Sequence, residues 1–196
     1  MPGLRPDLAV IRDNIAPGSR VLDVGCGDGT LLAALRDSKG CDARGMELNA
    51  DNVAECVGKG LSVIQGDADR DLAFYPDGAF DYAILSQTLQ TTMRPGAVLD
   101  ELIRIGKRAF VSFPNFAHWR VRIDLFWGGR MPVTRLLPEG WHETPNIHHV
   151  TVHDFRAYVR DHGIKVEQAW FLSGDKRRSP AAANFRAEHA IFLLSQ

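Results

Sequence analysis

Arg20-Val21-Leu22-Asp23-Val24-Gly25-Cys26-Gly27-Asp28-Gly29-Thr30 joins an apolar run to a glycine-rich turn and then to a helical pattern. Residues 20–24 read as a short strand. Residues 30–38 read as a helix, with Leu31, Leu32, Ala34 and Leu35 on one side and Lys39-Gly40 as its stop. Glycines at such a strand–helix turn let the backbone approach a ligand closely. The spacing narrows the ligand class. The glycines stand at 25, 27 and 29, whereas a dinucleotide fingerprint wants Gly or Ala at position 30, which is Thr30 here. Asp23, just before the loop, is a poor neighbour for a pyrophosphate and a good one for a cationic or amine-bearing ligand.

Outward from this unit, strands and helices alternate. Residues 43–48, 61–65, 80–86 and 108–113 read as further strands. Residues 49–57 and a segment opening at Pro95, with Val98, Leu99, Leu102 and Ile103 inward, read as helices. A leading helix is expected over 7–15. Thr151-Val152-His153-Asp154 reads as a capping box opening a helix with Phe155, Tyr158 and Val159 inward. Two strand-like runs, 165–172 and 187–194, then form an expected antiparallel pair joined by a long polar loop through Lys176-Arg177-Arg178. Short apolar strands alternating with helices predict a parallel α/β sheet covered on both faces.

The chain has 196 residues, 45% hydrophobic, with a formal net charge of −1. That fits one globular domain over 1–196, argues against disorder and against a dedicated nucleic-acid binder. No run reaches the ~18 apolar residues of a membrane helix. The opening residues carry no apolar run of signal-peptide type, so a cytoplasmic location is expected. The three cysteines, Cys26, Cys41 and Cys56, form no C-x-x-C pair.

Two acids extend the glycine loop. Glu47 ends the second strand, 24 positions after Asp23, where a nucleotide-binding α/β unit places its ribose acid. Asp67, in Gly66-Asp67-Ala68, follows the third strand, where an acceptor can take an exocyclic adenine amine. The set of loop, Glu47 and Asp67 at successive strand ends predicts nucleoside binding.

Residues 114–150 break the rhythm. They hold Phe116, Trp119, Phe126, Trp127 and Trp141 with Arg120, Arg122, Arg130 and Arg135. An insertion over the sheet's carboxyl edge is expected, serving as a buried lid or as an exposed interface. His142, His148, His149 and His153 crowd into the same part of the chain, but a metal site would need a continuous helix there, so no metal is expected. His118, Trp119, Trp141, His148 and His149 are the candidates to face a substrate or partner.

The order V-L-D-x-G-C-G-x-G, an acid after strand two and G-D-A after strand three resembles the class I S-adenosylmethionine-dependent methyltransferases. The resemblance implies a doubly wound, mostly parallel seven-stranded sheet of Rossmann-like type whose last strand runs antiparallel. It implies S-adenosylmethionine or S-adenosylhomocysteine as cofactor. Gly25, Gly27 and Gly29 would lie against the methionine part with Asp23 nearby, Glu47 would hold the ribose, Asp67 the adenine, and Gln87 would lie close to the sulfonium, with Cys26, Leu48 and Ala68 completing the site. Longer segments are similar to the MetW family of methionine biosynthesis proteins: Leu4-Arg5-Pro6-Asp7-Leu8, Ser86-Gln87-Thr88-Leu89-Gln90, Ser112-Phe113-Pro114-Asn115-Phe116-Ala117-His118-Trp119, Trp127-Gly128-Gly129-Arg130-Met131-Pro132 and Thr144-Pro145-Asn146-Ile147-His148. That similarity implies partnership with, and activation of, a homoserine O-acyltransferase (a homoserine O-acetyltransferase). The alternative is an active methyltransferase acting on a small molecule. Nucleic-acid methylation is not expected, because Ser86-Gln87-Thr88-Leu89 stands where an N/D-P-P-Y/F segment would.

Overall fold

The structure is a computed structural model that describes residues 4–134 and 137–196; Met1, Pro2, Gly3, Arg135 and Leu136 lie outside the described residues. Among the described residues eight strands form one sheet: β1 (Arg20–Val24), β2 (Asp42–Glu47), β3 (Ser62–Gln65), β4 (Phe80–Ser86), β5 (Gly106–Pro114), β6 (Lys165–Ser173), β7 (Lys176–Arg177) and β8 (His189–Ser195). Their order is β3-β2-β1-β4-β5-β8-β6-β7. The first five pair in parallel, and β8 runs antiparallel to both β5 and β6. The order reverses between β1 and β4, the place where open α/β sheets bind ligands beyond the strands' carboxyl ends.

The helices are α1 (Pro6–Asn14), α2 (Thr30–Lys39), α3 (Ala50–Gly58), α4 (Pro95–Ile105), α5 (Trp119–Gly128), α6 (Val152–Asp161) and the short α7 (Ala183–Arg186). Strand alternation divides the core. Tyr82, Ile84, Phe110, Ile191 and Leu193 face α1 and α2, packing on Leu8, Ile11, Leu31 and Leu35. Ala83, Leu85, Val111, Phe113 and Phe192 face α4 and α6, packing on Leu99, Leu102, Phe155 and Val159. Both sheet faces are therefore apolar, which is why these strands read as near-continuous hydrophobic runs. Among the described residues no helix is long and apolar enough to cross a membrane.

Helix boundaries follow local chemistry. Asn49 accepts from the N–H groups of Asp51 and Asn52 and so caps α3 instead of belonging to it. Thr151 accepts from the Asp154 N–H, and its hydroxyl donates to the Asp154 carboxylate at 2.6 Å. Asn115, fully buried after β5, accepts from Ala117 and Val152 N–H and donates to the carbonyls of Asn184 and Ala187. It ties the end of β5, the start of α6 and the approach to β8 together.

Two expectations need correction. Among the described residues the sheet has eight strands, not seven. β6 reaches Ser173, and Gly174-Asp175 turn the chain back so that Leu172 faces Arg177 and Ser173 faces Lys176. The stretch expected as an open loop thus contributes a two-residue edge strand. Within 114–150, α5 forms where no periodicity predicted a helix.

Candidate cofactor site

The glycine loop is fastened to the end of β2. Gly25 and Cys26 N–H both donate to the Met46 carbonyl, at 2.8 and 3.2 Å. Gly25 has a positive φ, and a Cβ there would come within 2.4 Å of the Thr88 side chain. Gly29 is equally restricted, against Leu61 and Cys56. At Gly27 the space is open. Cys26 is buried, packed with Leu32, Cys56 and Leu61, and burial raises its thiol pKa, which disfavours the thiolate. Glu47 uses both oxygens on backbone: Oε2 accepts from Gly27 N–H at 2.8 Å and Oε1 from Asn49 N–H at 2.9 Å.

Two cavities meet at Gly25. One, of about 360 Å³, is lined by Gly25, Glu47, Leu48, Asp67, Ala68, Asp69, Thr88, Thr91, Thr92 and Pro145, among others. The other, of about 350 Å³, is lined by Arg5, Asp23, Gly25, Cys26, Gly27, Asp28, Thr30 and Ser86, among others. The structure thus brings Asp23, Gly25, Cys26, Gly27, Glu47, Leu48, Asp67 and Ala68 to one continuous rim of the sheet. Gly29 lies just behind the loop, shaping it without lining either cavity.

Asp23 is 2% exposed, and its Oδ1 has no hydrogen-bond partner among the described residues. Burial pushes its pKa up to about 7; the Arg5 charge opposes this, and Glu47 adds to it. A buried carboxylate oxygen without a donor is an energetic defect unless a cation or amine completes it. Asp67 is partly exposed; its Oδ1 accepts from Asp69 N–H at 2.9 Å.

Gln87 is the one non-glycine residue with positive φ (+56°) among the described residues. Its N–H donates to the Ser112 carbonyl, and its amide nitrogen lies 2.8 Å from His189 Nδ1 and 3.3 Å from Asp7 Oδ2. Asp7, buried on α1, also accepts from the Ser86 and Ser112 hydroxyls at 3.2 Å and pairs with Arg5. The Gln87 side chain is thereby engaged in this network and lines neither cavity, while Thr88, the next residue, does. Sequence reasoning missed Arg5, Asp69 and Thr88. The leader segment around Arg5 stood out only by resemblance, and nothing local says that α1 delivers it to the loop.

The candidates of the 114–150 region do not converge. His118 is buried, which lowers its pKa, and its ring lies 5.7 Å from that of Trp119. Trp141 is 79% exposed. On α5 only Val121 is buried; Phe126 and Trp127 are 80% and 76% exposed. His148 and His149 are brought together at a separate cavity beside α4 and α6. Among the described residues no group of three or more His, Cys, Asp or Glu is placed to hold a metal ion.

Comparison with known proteins gives the family and the fold. A bifunctional methionine biosynthesis protein MetXA/MetW of Rhodopirellula baltica is 34% identical over 182 residues, covering 88% of this chain. The chain spans only 29% of that relative's length. A ubiquinone biosynthesis O-methyltransferase of Xylella fastidiosa is 31% identical over 179 residues, covering 87% of this chain and 71% of that protein. An S-adenosylmethionine-dependent methyltransferase structure from Mesorhizobium loti shares the fold, with TM-score 0.72, 16% identity and coverage of 97% of this chain and 98% of that one. The family described as methionine biosynthesis protein MetW matches residues 5–194, and the chain belongs to that family.

Proposed function

We propose that this chain is a single domain that binds S-adenosylmethionine, or its demethylated product, at the glycine loop and works as the partner and activator of a homoserine O-acyltransferase. The observation that carries the cofactor reading is the orphaned, buried Asp23 Oδ1 beside an open backbone at Gly27. An α-ammonium supplies the missing donor. Arg5, on the same cavity, suits the carboxylate of that amino-acid end. Across the loop, Glu47 faces the ribose hydroxyls and Asp67 the adenine amine, with Leu48 and Ala68 as the apolar walls of the base. When bound, the cofactor brings an electrophilic methyl group on sulfonium; the chain's residues orient it and exclude water.

The partner reading is supported by the bifunctional relative, whose name joins MetXA to MetW. Fusion raises effective concentration between two units that work together. Residues 114–150, carrying exposed Phe126 and Trp127 with Arg120, Arg122 and Arg130, supply an apolar, arginine-bearing surface of the kind that forms interface anchors. A second reading, an active small-molecule methyltransferase, is favoured by the O-methyltransferase relative.

Calorimetry with S-adenosylmethionine and S-adenosylhomocysteine tests the cofactor reading. Binding that is lost in Asp23→Ala is expected; absence of heat with both ligands overturns it. Formation of S-adenosylhomocysteine above background with a panel of small metabolites would replace the activator reading by the second one.

A further inference from the structure

Independently of the proposed function, we propose that two copies of this chain pair through β3, antiparallel across a two-fold axis, so that two sheets become one. Among the described residues the sheet ends in two edge strands, β3 and β7, and they differ in chemistry. β7 is two residues long and both are cations, Lys176 and Arg177. Such an edge discourages an approaching strand. β3, Ser62-Val63-Ile64-Gln65, carries no charge and no proline, and all of it but Val63 is exposed. An uncharged edge with two β-branched residues is a template for a further strand. Its backbone is turned for one. The Gly66 N–H points inward to the Glu47 carbonyl, at 2.9 Å. Backbone groups alternate in direction along a strand, so those of Ile64 also turn to β2, and those of Val63 and Gln65 turn outward.

One face of this end of the sheet is uncovered. α2 and α3 pack on the other face, against Ala43 and Val63. The connection from β3 to β4 carries only the turn Leu72–Phe74 where a longer helix would cover β2 and β3. What remains is a groove of about 990 Å³ lined by Arg44, Ser62, Ile64, Phe74 and Tyr75, among others. Ile64 and Phe74 are 54% and 84% exposed. An unpaired strand beside an open apolar groove is where an added strand gains both backbone hydrogen bonds and side-chain burial.

The occupant is a second copy because the edge complements itself. The antiparallel register that uses both outward residues sets Val63 opposite Gln65 of the other copy and exchanges both N–H···O bonds at each such pair, with Ile64 against Ile64 on the axis. Ser62 then lies opposite Gly66 of the other copy. Arg44 neighbours Ser62 on β2, two strand spacings, about 9.6 Å, from that glycine. A Cβ at Gly66 would lie 3.2 Å from Asp71 Oδ2, so the Asp71 carboxylate stands over that position on the same face. The axis therefore brings Arg44 of each copy toward Asp71 of the other. Within one copy Arg44 pairs with Asp42, and both side chains are about half exposed, so that pair gives way at little cost.

Sedimentation velocity of the whole chain, from about 1 to 200 μM, is expected to show the 21.7 kDa chain doubling in mass, with a Kd below about 100 μM. Amide exchange at Val63 and Gln65 should slow as the dimer fills. Ile64→Lys puts like charges on the axis. It should weaken pairing at least about tenfold and leave the circular dichroism unchanged, since this side chain is exposed. Arg44→Glu and Asp71→Lys should each weaken pairing, and mixing the two variants should restore it, because every contact across the axis is then between opposite charges. A chain that stays monomeric throughout, a dimer that Ile64→Lys leaves intact, or Val63 and Gln65 amides indifferent to concentration would each overturn the proposal. Protection of those amides only on adding a homoserine O-acyltransferase would assign the edge to that protein and overturn self-pairing.

Discussion

Glu47 Oε2 accepts a hydrogen bond from the Gly27 N–H at 2.8 Å, so the acid at the end of β2 holds the glycine loop that follows β1. Its other oxygen holds Asn49 N–H, at the entry to α3. One carboxylate therefore sets the spacing between two neighbouring strand ends, and its oxygens are already oriented for the ribose hydroxyls of the proposed ligand.

Glu47→Gln keeps the size but replaces one acceptor oxygen by a donor that faces a backbone N–H. Unfolding in urea is expected to show a loss of about 1–3 kcal/mol, and S-adenosylmethionine affinity should fall by about tenfold or more. Unchanged affinity would show that the ribose is held elsewhere.

Asp23 gives a pH signature. The folded chain keeps its proton up to about pH 7, whereas the unfolded chain releases it near the ordinary carboxylate value of 3.8. Stability should therefore decline as pH rises between these values, by up to about 1.4 kcal/mol per unit for this one group. Above pH 7 the decline should stop, and in Asp23→Asn it should be absent. Ligand binding runs the other way. An ammonium needs the ionised carboxylate, so affinity should rise about tenfold from pH 6 to 8, and Asp23→Asn should be weak and flat over that range in calorimetry.

Asn115→Ala removes the donor and acceptor that join β5, α6 and the approach to β8, leaving several backbone groups buried without partners. A loss of about 4 kcal/mol is expected in chemical denaturation. A loss below about 1 kcal/mol would mean that water replaces the side chain.

Phe126 and Trp127 are largely exposed, so replacing both by Ser should leave stability within about 0.5 kcal/mol. The same double change should reduce activation of the acyltransferase at least tenfold in apparent affinity. Full activation by that variant would move the contact away from α5.

Much of this arrangement was legible in the residues. β4 appears with the expected bounds because its run is apolar on both faces and sits between two neighbouring strands. The glycine loop, Glu47 and Asp67 are readable because strand ends in a parallel sheet share one edge, so position along the chain maps onto position in space. β7 was not readable, since a two-residue strand has no period. Nor was α5: Ile123, Leu125, Phe126 and Trp127 stay exposed, so no single apolar stripe marks it. Arg5 and Thr88 escaped for a different reason. The first depends on how α1 packs, and the second on the positive φ of Gln87, which its hydrogen bonds to His189 and the Ser112 carbonyl support.

The central claim is tested most directly by assaying the homoserine O-acyltransferase of the same organism while this chain is titrated in. The account predicts a saturable rise in acyl-transfer rate at a fixed stoichiometry. A flat response, with the acyltransferase folded and active alone, would contradict it.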